Sequence, residues 1–341
     1  MNKIEALKSR MSLPVIVAPM FILSDAEFVI ATCKEGLLGT FPALNGRTAA
    51  DFEQMLIQVS EGLEAASLKS QISDLKSQRG VVAPRERQSP DWQQAASDSQ
   101  RSVVAPYGVN LIVHPSNTRL AEDLPLCIKY KVPFIVTNLG KPDAIIEAVH
   151  SYGGVVFSSV TTIEYARKTA EAGVDGLVLI CAGAGGHAGM LNPFAFVPGV
   201  REFFKGSIAV SGCISDGYSV RACEVLGADF AWVGTRFIPT VESKATQAYK
   251  DMVLKAEAAD IIYTSVVSGI PANFIRENLM DCGYDVNKQG IVKRVINLEE
   301  ERKLWKDIWT AGQGIQTIHE AASIKSLADT FKEQYRRGIK N

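Results

Sequence analysis

The sequence predicts an α/β fold: a closed (β/α)8 TIM barrel with an additional helical cap region at its C-terminal side. Two observations carry that reading. Short apolar, β-branched runs recur eight times, at 15–18, 37–40, 107–112, 134–137, 155–158, 177–180, 207–210 and 230–233. Segments with polar faces and helical spacing lie between them, among them 118–130, 143–150, 162–172 and 216–226. Continuous apolar strands alternating with helices imply a parallel sheet covered on both faces. Eight such units within about 250 residues suit barrel closure. A doubly wound open sheet is the alternative arrangement of the same elements.

The strands order the rest of the chain. Residues 1–250 hold the barrel, and a polar insertion interrupts it at about 60–105, rich in Ser, Gln, Ala and charge. Within it "LKSQ" occurs at 68–71 and 75–78, and "VVAP" at 81–84 and 103–106. This reads as an extended helix after the second strand followed by a surface excursion. Residues 251–341 follow the eighth strand, with helical stretches around 304–309 and 321–335, and read as a cap on the substrate side beside the barrel mouth, with C-terminal helices packing on the barrel.

Composition narrows the class. Lys plus Arg number 36 against 37 acids, a net charge of −1, which gives no electrostatic reason to expect nucleic acid or an anionic membrane. No apolar run approaches the roughly 20 residues of a membrane span, and the N-terminus "MNKIEALKSRMSLPVIVAPMF" lacks a signal-peptide pattern. A cytoplasmic protein is expected. The six cysteines contain no C-x-x-C pair and read as small buried hydrophobes in a reducing compartment. The four histidines are dispersed without H-E-x-x-H spacing, so no metal site is expected.

In a parallel barrel the chemistry gathers at the C-terminal ends of the strands. Strand one ends in Pro19 and Met20, strand three in Asn110, and strand four in Thr137 and Asn138. Strand six runs into "CAGAGGHAG", a loop reduced almost to backbone that keeps a single imidazole, His187. Such a loop lets a flat ligand lie against main-chain atoms. His187 would then stand at the ligand's edge, able to take or give a proton near neutral pH; the plainer alternative is a polar loop residue with a satisfied ring. His150 reads as a charge at a helix C-terminus, His114 follows strand three, and His319 lies in the tail. Strands seven and eight end in Ser211-Gly212-Cys213 and Gly234-Thr235. Small residues there allow backbone N–H groups to approach a phosphate, which favours a phosphate-bearing cofactor over simple tight turns.

With "APM", "YGVNLIVHPSNTRL", "YKVPFIVTNLG", "GVDGLVLICAGAGGHAG", "AVSGCISDG" and "GADFAWVGTRFIPTVES" in this order over most of 14–250, the chain resembles the nitronate monooxygenases. The resemblance implies an FMN-binding barrel that oxidises alkyl nitronates, and nitroalkanes in some members, with O2 to a carbonyl compound and nitrite, without a metal. It implies Pro19, Met20 and Asn110 around the flavin ring and Gly185 and Gly186 at its edge. Gly212, Cys213, Gly234 and Thr235 would lie on the phosphate, with Thr137 and Ser211 joining the cofactor set by position. His187 corresponds to the catalytic histidine, as base or as the group beside the bound nitronate. A homo-oligomer is compatible with the resemblance.

The chain departs from the family pattern at Gly212-Cys213, where many members carry Gly-Gly, and at Ser158-Ser159, where some carry a lysine near the flavin. Competing readings are an FMN-dependent, NAD(P)H-using enoyl-acyl-carrier reductase and a flavin-binding barrel kept for sensing or storage. A barrel of the IMP dehydrogenase kind needs a loop cysteine nucleophile, whereas Cys181 ends an apolar run and reads as packing.

Overall fold

The structure is a computed structural model that describes residues 3–78, 103–288 and 305–338. Eight parallel strands close into a barrel: β1 (Val15–Val17), β2 (Leu38–Pro42), β3 (Gly108–Ile112), β4 (Phe134–Asn138), β5 (Val155–Val160), β6 (Gly176–Ile180), β8 (Ser207–Ser211) and β9 (Phe230–Val233). β1 pairs with β9 at Val15↔Ala231, Ile16↔Trp232 and Val17↔Val233, which seals the cylinder. Each of the eight expected strands is present, with ends moved by at most two residues. Around them run α1 (Lys3–Lys8), α2 (Ala26–Lys34), α3 (Ala49–Gln78), α4 (Leu120–Lys129), α5 (Asp143–His150), α6 (Ile163–Glu171), α7 (Pro193–Arg201) and α8 (Gly217–Leu226).

Several helices start on a side-chain cap at the end of the loop that follows a strand. Asp25, Thr162, Asn192 and Asp216 each accept a backbone N–H from the first turn of α2, α6, α7 and α8, a contact worth about 1 kcal/mol. These caps fix where each strand-end loop stops, and so how long the loops at the mouth can be.

The bottom of the barrel is plugged. Phe134, Phe157 and Phe230 pack in series, with ring centroids 4.9 and 5.9 Å apart. Glycines face the first two rings: a Cβ on Gly108 would stand 2.6 Å from the Phe134 ring, and one on Gly176 would stand 2.3 Å from that of Phe157. Large against small fills the taper there and leaves the open space at the other end.

The long helix expected after strand two is α3, whose buried Phe52, Leu56, Val59 and Leu63 repeat every three or four residues. The rest of the expected insertion, 79–102, lies outside the described residues. Two features were not foreseen. The region after β9 is not only helical: besides α9 (Gln247–Lys255) and α10 (Arg276–Asp281) it contributes β10 (Ile261–Thr264) and β11 (Ala272–Ile275). These pair antiparallel with each other and with β7, the two residues Gly186–His187. The last helix, α11 (Ile324–Arg337), packs on the barrel, at a place the sequence did not specify: the gap in the outer ring between α8 and α2. Its Ile324, Leu327, Ala328, Phe331 and Tyr335 are buried in the main core. Gly217, at the start of α8, permits that approach, since a Cβ there would stand 2.1 Å from the Phe331 carbonyl oxygen. Among the described residues no helix is long and apolar enough to cross a membrane.

Candidate active site

A cavity of about 620 Å³ opens at the C-terminal ends of the barrel strands and is roofed by residues 305–314. Eleven of the twelve residues singled out from the sequence line it: Pro19, Met20, Asn110, Gly185, Gly186, His187, Ser211, Gly212, Cys213, Gly234 and Thr235. Thr137 does not. It is fully buried, and its hydroxyl donates to Ser158 Oγ at 2.9 Å, behind the cavity wall. Successive side chains on a strand point to opposite faces, so the wall residue of β4 is its neighbour Asn138.

The β1–α2 loop is braced by polar contacts. Met20 N–H donates to Ser24 Oγ at 2.9 Å, and Ile22, at φ +57°, donates its N–H to Asn45 Oδ1 at 2.9 Å. Asn45 Nδ2 in turn reaches the carbonyl oxygens of Ser24, at 2.7 Å, and Met20, at 3.2 Å. Asn110 donates to the Val136 carbonyl at 3.2 Å, which fixes its amide in the wall.

The stripped loop after β6 has a structural cause. Ala311 to Gly314 are laid directly on it. Gln313 N–H donates to the Gly183 carbonyl at 2.8 Å, and Gly312 N–H donates to Thr235 Oγ1 at 2.9 Å. A Cβ on Gly185 would stand 2.9 Å from Gly312 N, and one on Gly312 only 2.4 Å from the Gly183 oxygen. Gly185 is bare because the chain's own backbone lies against it, and Gly183 because its φ is +79° and a Cβ there would stand 2.5 Å from Cys213 Sγ, and not only to admit a ligand. Gly186 differs, with open space around a Cβ but a φ of +71° that suits glycine. The sequence did hold a signal for this partner segment, in the tail's Gly312-x-Gly314.

His187 sits on β7, held by pairing with Ala272 of β11. Buried Asn273 of β11 donates from Nδ2 to the Ala184 carbonyl at 2.6 Å and so ties the glycine loop to the cap sheet. The imidazole lies perpendicular to the Trp305 indole, centroids 5.2 Å apart. Its Nε2 is closed off and has no hydrogen-bond partner among the described residues. Burial pushes its pKa down to about 4, so the ring is neutral at ordinary pH. Asn138 Oδ1 is likewise enclosed and unpartnered among the described residues. Two enclosed polar atoms without a partner, both on residues of one cavity wall, set this wall apart, since buried polar groups are ordinarily hydrogen-bonded.

Charge in the cavity is one-sided. Among the described lining residues the ionised side chains are Lys244 and Lys306, with no carboxylate. Lys244 is paired with Asp25 at 3.2 Å and Glu27 at 2.8 Å. Aromatic side chains supply much of the remaining wall: Tyr165, Trp232, Tyr249, Trp305 and Trp309, of which Tyr249 and Trp309 stack at 4.9 Å. Reasoning from the strand ends named Asn138 but put Thr137 in the cofactor set instead, and it missed the tail residues, because the tail reaches the mouth only through tertiary packing. The cysteine beside the loop is inert: Cys181 is buried and its thiol is pushed up to about 12 by desolvation, which argues against a nucleophile there.

The family model for nitronate monooxygenase matches residues 4–331. A probable nitronate monooxygenase of Staphylococcus haemolyticus is 30% identical over 166 residues, 45% of this chain and 46% of that protein. The chain spans about half the length of the first curated relatives it matches. Among solved structures, nitroalkane oxidase from Streptomyces ansochromogenes superposes with a TM-score of 0.73 at 18% identity, covering 98% of this chain and 99% of that one. FabK from Thermotoga maritima also gives 0.73, at 20% identity, covering 99% and 97%. At these identities the two structures speak for the barrel fold.

Proposed function

The chain belongs to the nitronate monooxygenase family, and from that premise we propose that it is a flavin-dependent oxidoreductase that binds FMN and oxidises nitronates with O2 to a carbonyl compound and nitrite. The observation that carries the reading is a single neutral imidazole, His187, half-buried in the wall of a strand-end cavity that has lysines but no carboxylate among its described lining residues.

The cavity suits the cofactor. The strand ends at Ser211–Cys213 and at Gly234 and Thr235 are small, and a Cβ on Gly234 would meet only Ala18, at 3.4 Å, so backbone can come close to a phosphate. Asn110 and Asn138 present amides from adjacent strands to the polar edge of a ring, and Asn138 Oδ1 lacks any other partner among the described residues. When bound, FMN supplies the electron acceptor for the substrate carbon, while the protein orients and excludes.

His187 does the proton work in this reading. A neutral imidazole offers one acceptor and one donor. The acceptor nitrogen can take the α-proton of a neutral nitroalkane, and the donor can hydrogen-bond an oxygen of a nitronate that arrives already deprotonated. Stabilisation of the nitronate by a standing positive charge on His187 is the disfavoured alternative, because burial opposes the imidazolium. A cytoplasmic setting belongs to the same proposal and is supported by six cysteines that form no disulfide.

The test uses the visible spectrum. The purified protein is expected to carry a flavin spectrum that is bleached anaerobically by a nitronate and left unchanged by NADH or NADPH. Rapid bleaching by a nucleotide with none by the nitronate would replace the proposal with a reductase.

A further inference from the structure

Trp305 stands apart from the barrel machinery yet touches its key residue. It belongs to the cap, stacks on Phe274 of β11 with centroids 5.6 Å apart and rings within 20°, and meets the His187 imidazole at 82°. β11 is also the strand that pairs with β7. The cap therefore grips His187 twice, through the backbone at Ala272 and through the ring at Trp305. Phe274 and the neighbouring Ile308 are buried in a small apolar cluster against which Trp305 packs, so the indole is itself braced.

We propose that Trp305 is a positioning residue for His187: its indole, held by Phe274, fixes the imidazole plane and keeps water off the ring, so that the ring meets the substrate as a neutral base. This rests on the assignment of His187 as the base. It goes beyond it by placing control of that base in the cap rather than in the barrel.

The surroundings leave few other candidates for that control. The titratable groups on the elements packed against His187 are Tyr263 of β10, Arg276 and Glu277 past the end of β11, and Lys306 and Asp307 beside Trp305. Tyr263 donates its hydroxyl to the Ala188 carbonyl at 3.0 Å, and Glu277 pairs with Lys255. Desolvation is the cause of the low His187 pKa, and the ring has no ion pair among the described residues. Water exclusion is thus the lever, and Trp305 is the aromatic group in ring contact with the imidazole.

The experiment is a histidine NMR titration of the flavin-loaded protein in three variants, Trp305→Ala, Trp305→Gln and Trp305→Phe, beside the parent. With four histidines in the chain, the His187 signal is identified by its loss in His187→Asn. In the parent the ring is expected to stay neutral until pH approaches about 4. Trp305→Ala and Trp305→Gln should raise the midpoint by about one pH unit or more toward the ordinary imidazole value, and Trp305→Phe should keep it low. The acid limb of kcat/KM for a neutral nitroalkane should move with the midpoint. A folded Trp305→Gln or Trp305→Ala protein whose His187 titrates as in the parent overturns the proposal, as does a Trp305→Phe midpoint as high as that of Trp305→Gln. The base assignment itself is judged separately, by whether His187→Asn selectively loses the neutral substrate.

Discussion

At His187 two requirements compete: a base should hold a proton well, yet burial in this wall holds its pKa near 4. What the site gains is a fixed protonation state, with the acceptor nitrogen free across the working range. Turnover of a neutral nitroalkane should therefore stay level from about pH 8 to about pH 5 and fall only as pH approaches about 4. A pH profile of kcat/KM with a constant flavin content checks this. Stability should carry the same signature. The unfolded imidazole titrates near 6.5 and the folded one at about 4, so between those values the unfolded chain binds the extra proton. The contribution from keeping His187 neutral is complete above about 6.5 and is lost as pH falls through that window. In His187→Asn, a melting-temperature profile should be flatter there than in the parent. The residue itself was legible in the sequence, because one histidine in a glycine loop at a strand end has few bland explanations. Its neutrality was not, because desolvation depends on Trp305 and β11, more than 80 residues further along the chain.

Among the elements, the glycine loop and the tail segment 311–314 behave as one unit. Their backbones interlock at Gly183, Gly185 and Gly312, and Thr235 is tied in through the Gly312 N–H. Gly312→Ala would drive a Cβ to 2.4 Å from the Gly183 oxygen, a contact that backbone must move to relieve. We expect a loss of about 1–3 kcal/mol in unfolding free energy together with weaker flavin retention, read by denaturant titration and by flavin released on gel filtration. A loss of stability with the flavin held as firmly as before would separate the tail from the cofactor site. The loop's bareness was visible in the sequence, but only half its cause. The flat-ligand reading accounts for an open face at Gly186, whereas Gly185 answers to a tail segment whose register no local pattern reveals, and Gly183 to its own φ of +79° and to Cys213 beside it. Thr137 went astray for a simpler reason: a one-residue choice at a strand end exchanges the cavity for the core, and the wall residue is Asn138.

For the whole molecule, the barrel is completed from both ends of the chain. The alternation of eight apolar runs with helices made the cylinder legible, since parallel strands covered on both faces carry their burial in consecutive residues. The placement of α11 was hidden, because its apolar stripe at Ile324, Leu327, Phe331 and Tyr335 says only that it packs, not against what. It packs between α8 and α2 and supplies no residue to the cavity lining, so Phe331→Ala should cost about 3–5 kcal/mol while each folded, flavin-loaded molecule keeps its turnover. Chemical denaturation and activity per bound flavin measure the two halves of that expectation. A fall in activity per flavin would mean that the outer helix also tunes the site.

The central claim is that His187 acts as a neutral base in a flavin site, and paired substrates test it most directly. kcat/KM would be measured for a neutral nitroalkane and for its pre-formed nitronate, with flavin-loaded parent and His187→Asn. The account predicts that the variant loses about 10²-fold or more on the neutral substrate, and much less on the nitronate, with flavin content unchanged. Equal losses on both substrates, or no loss on the neutral one, would contradict it.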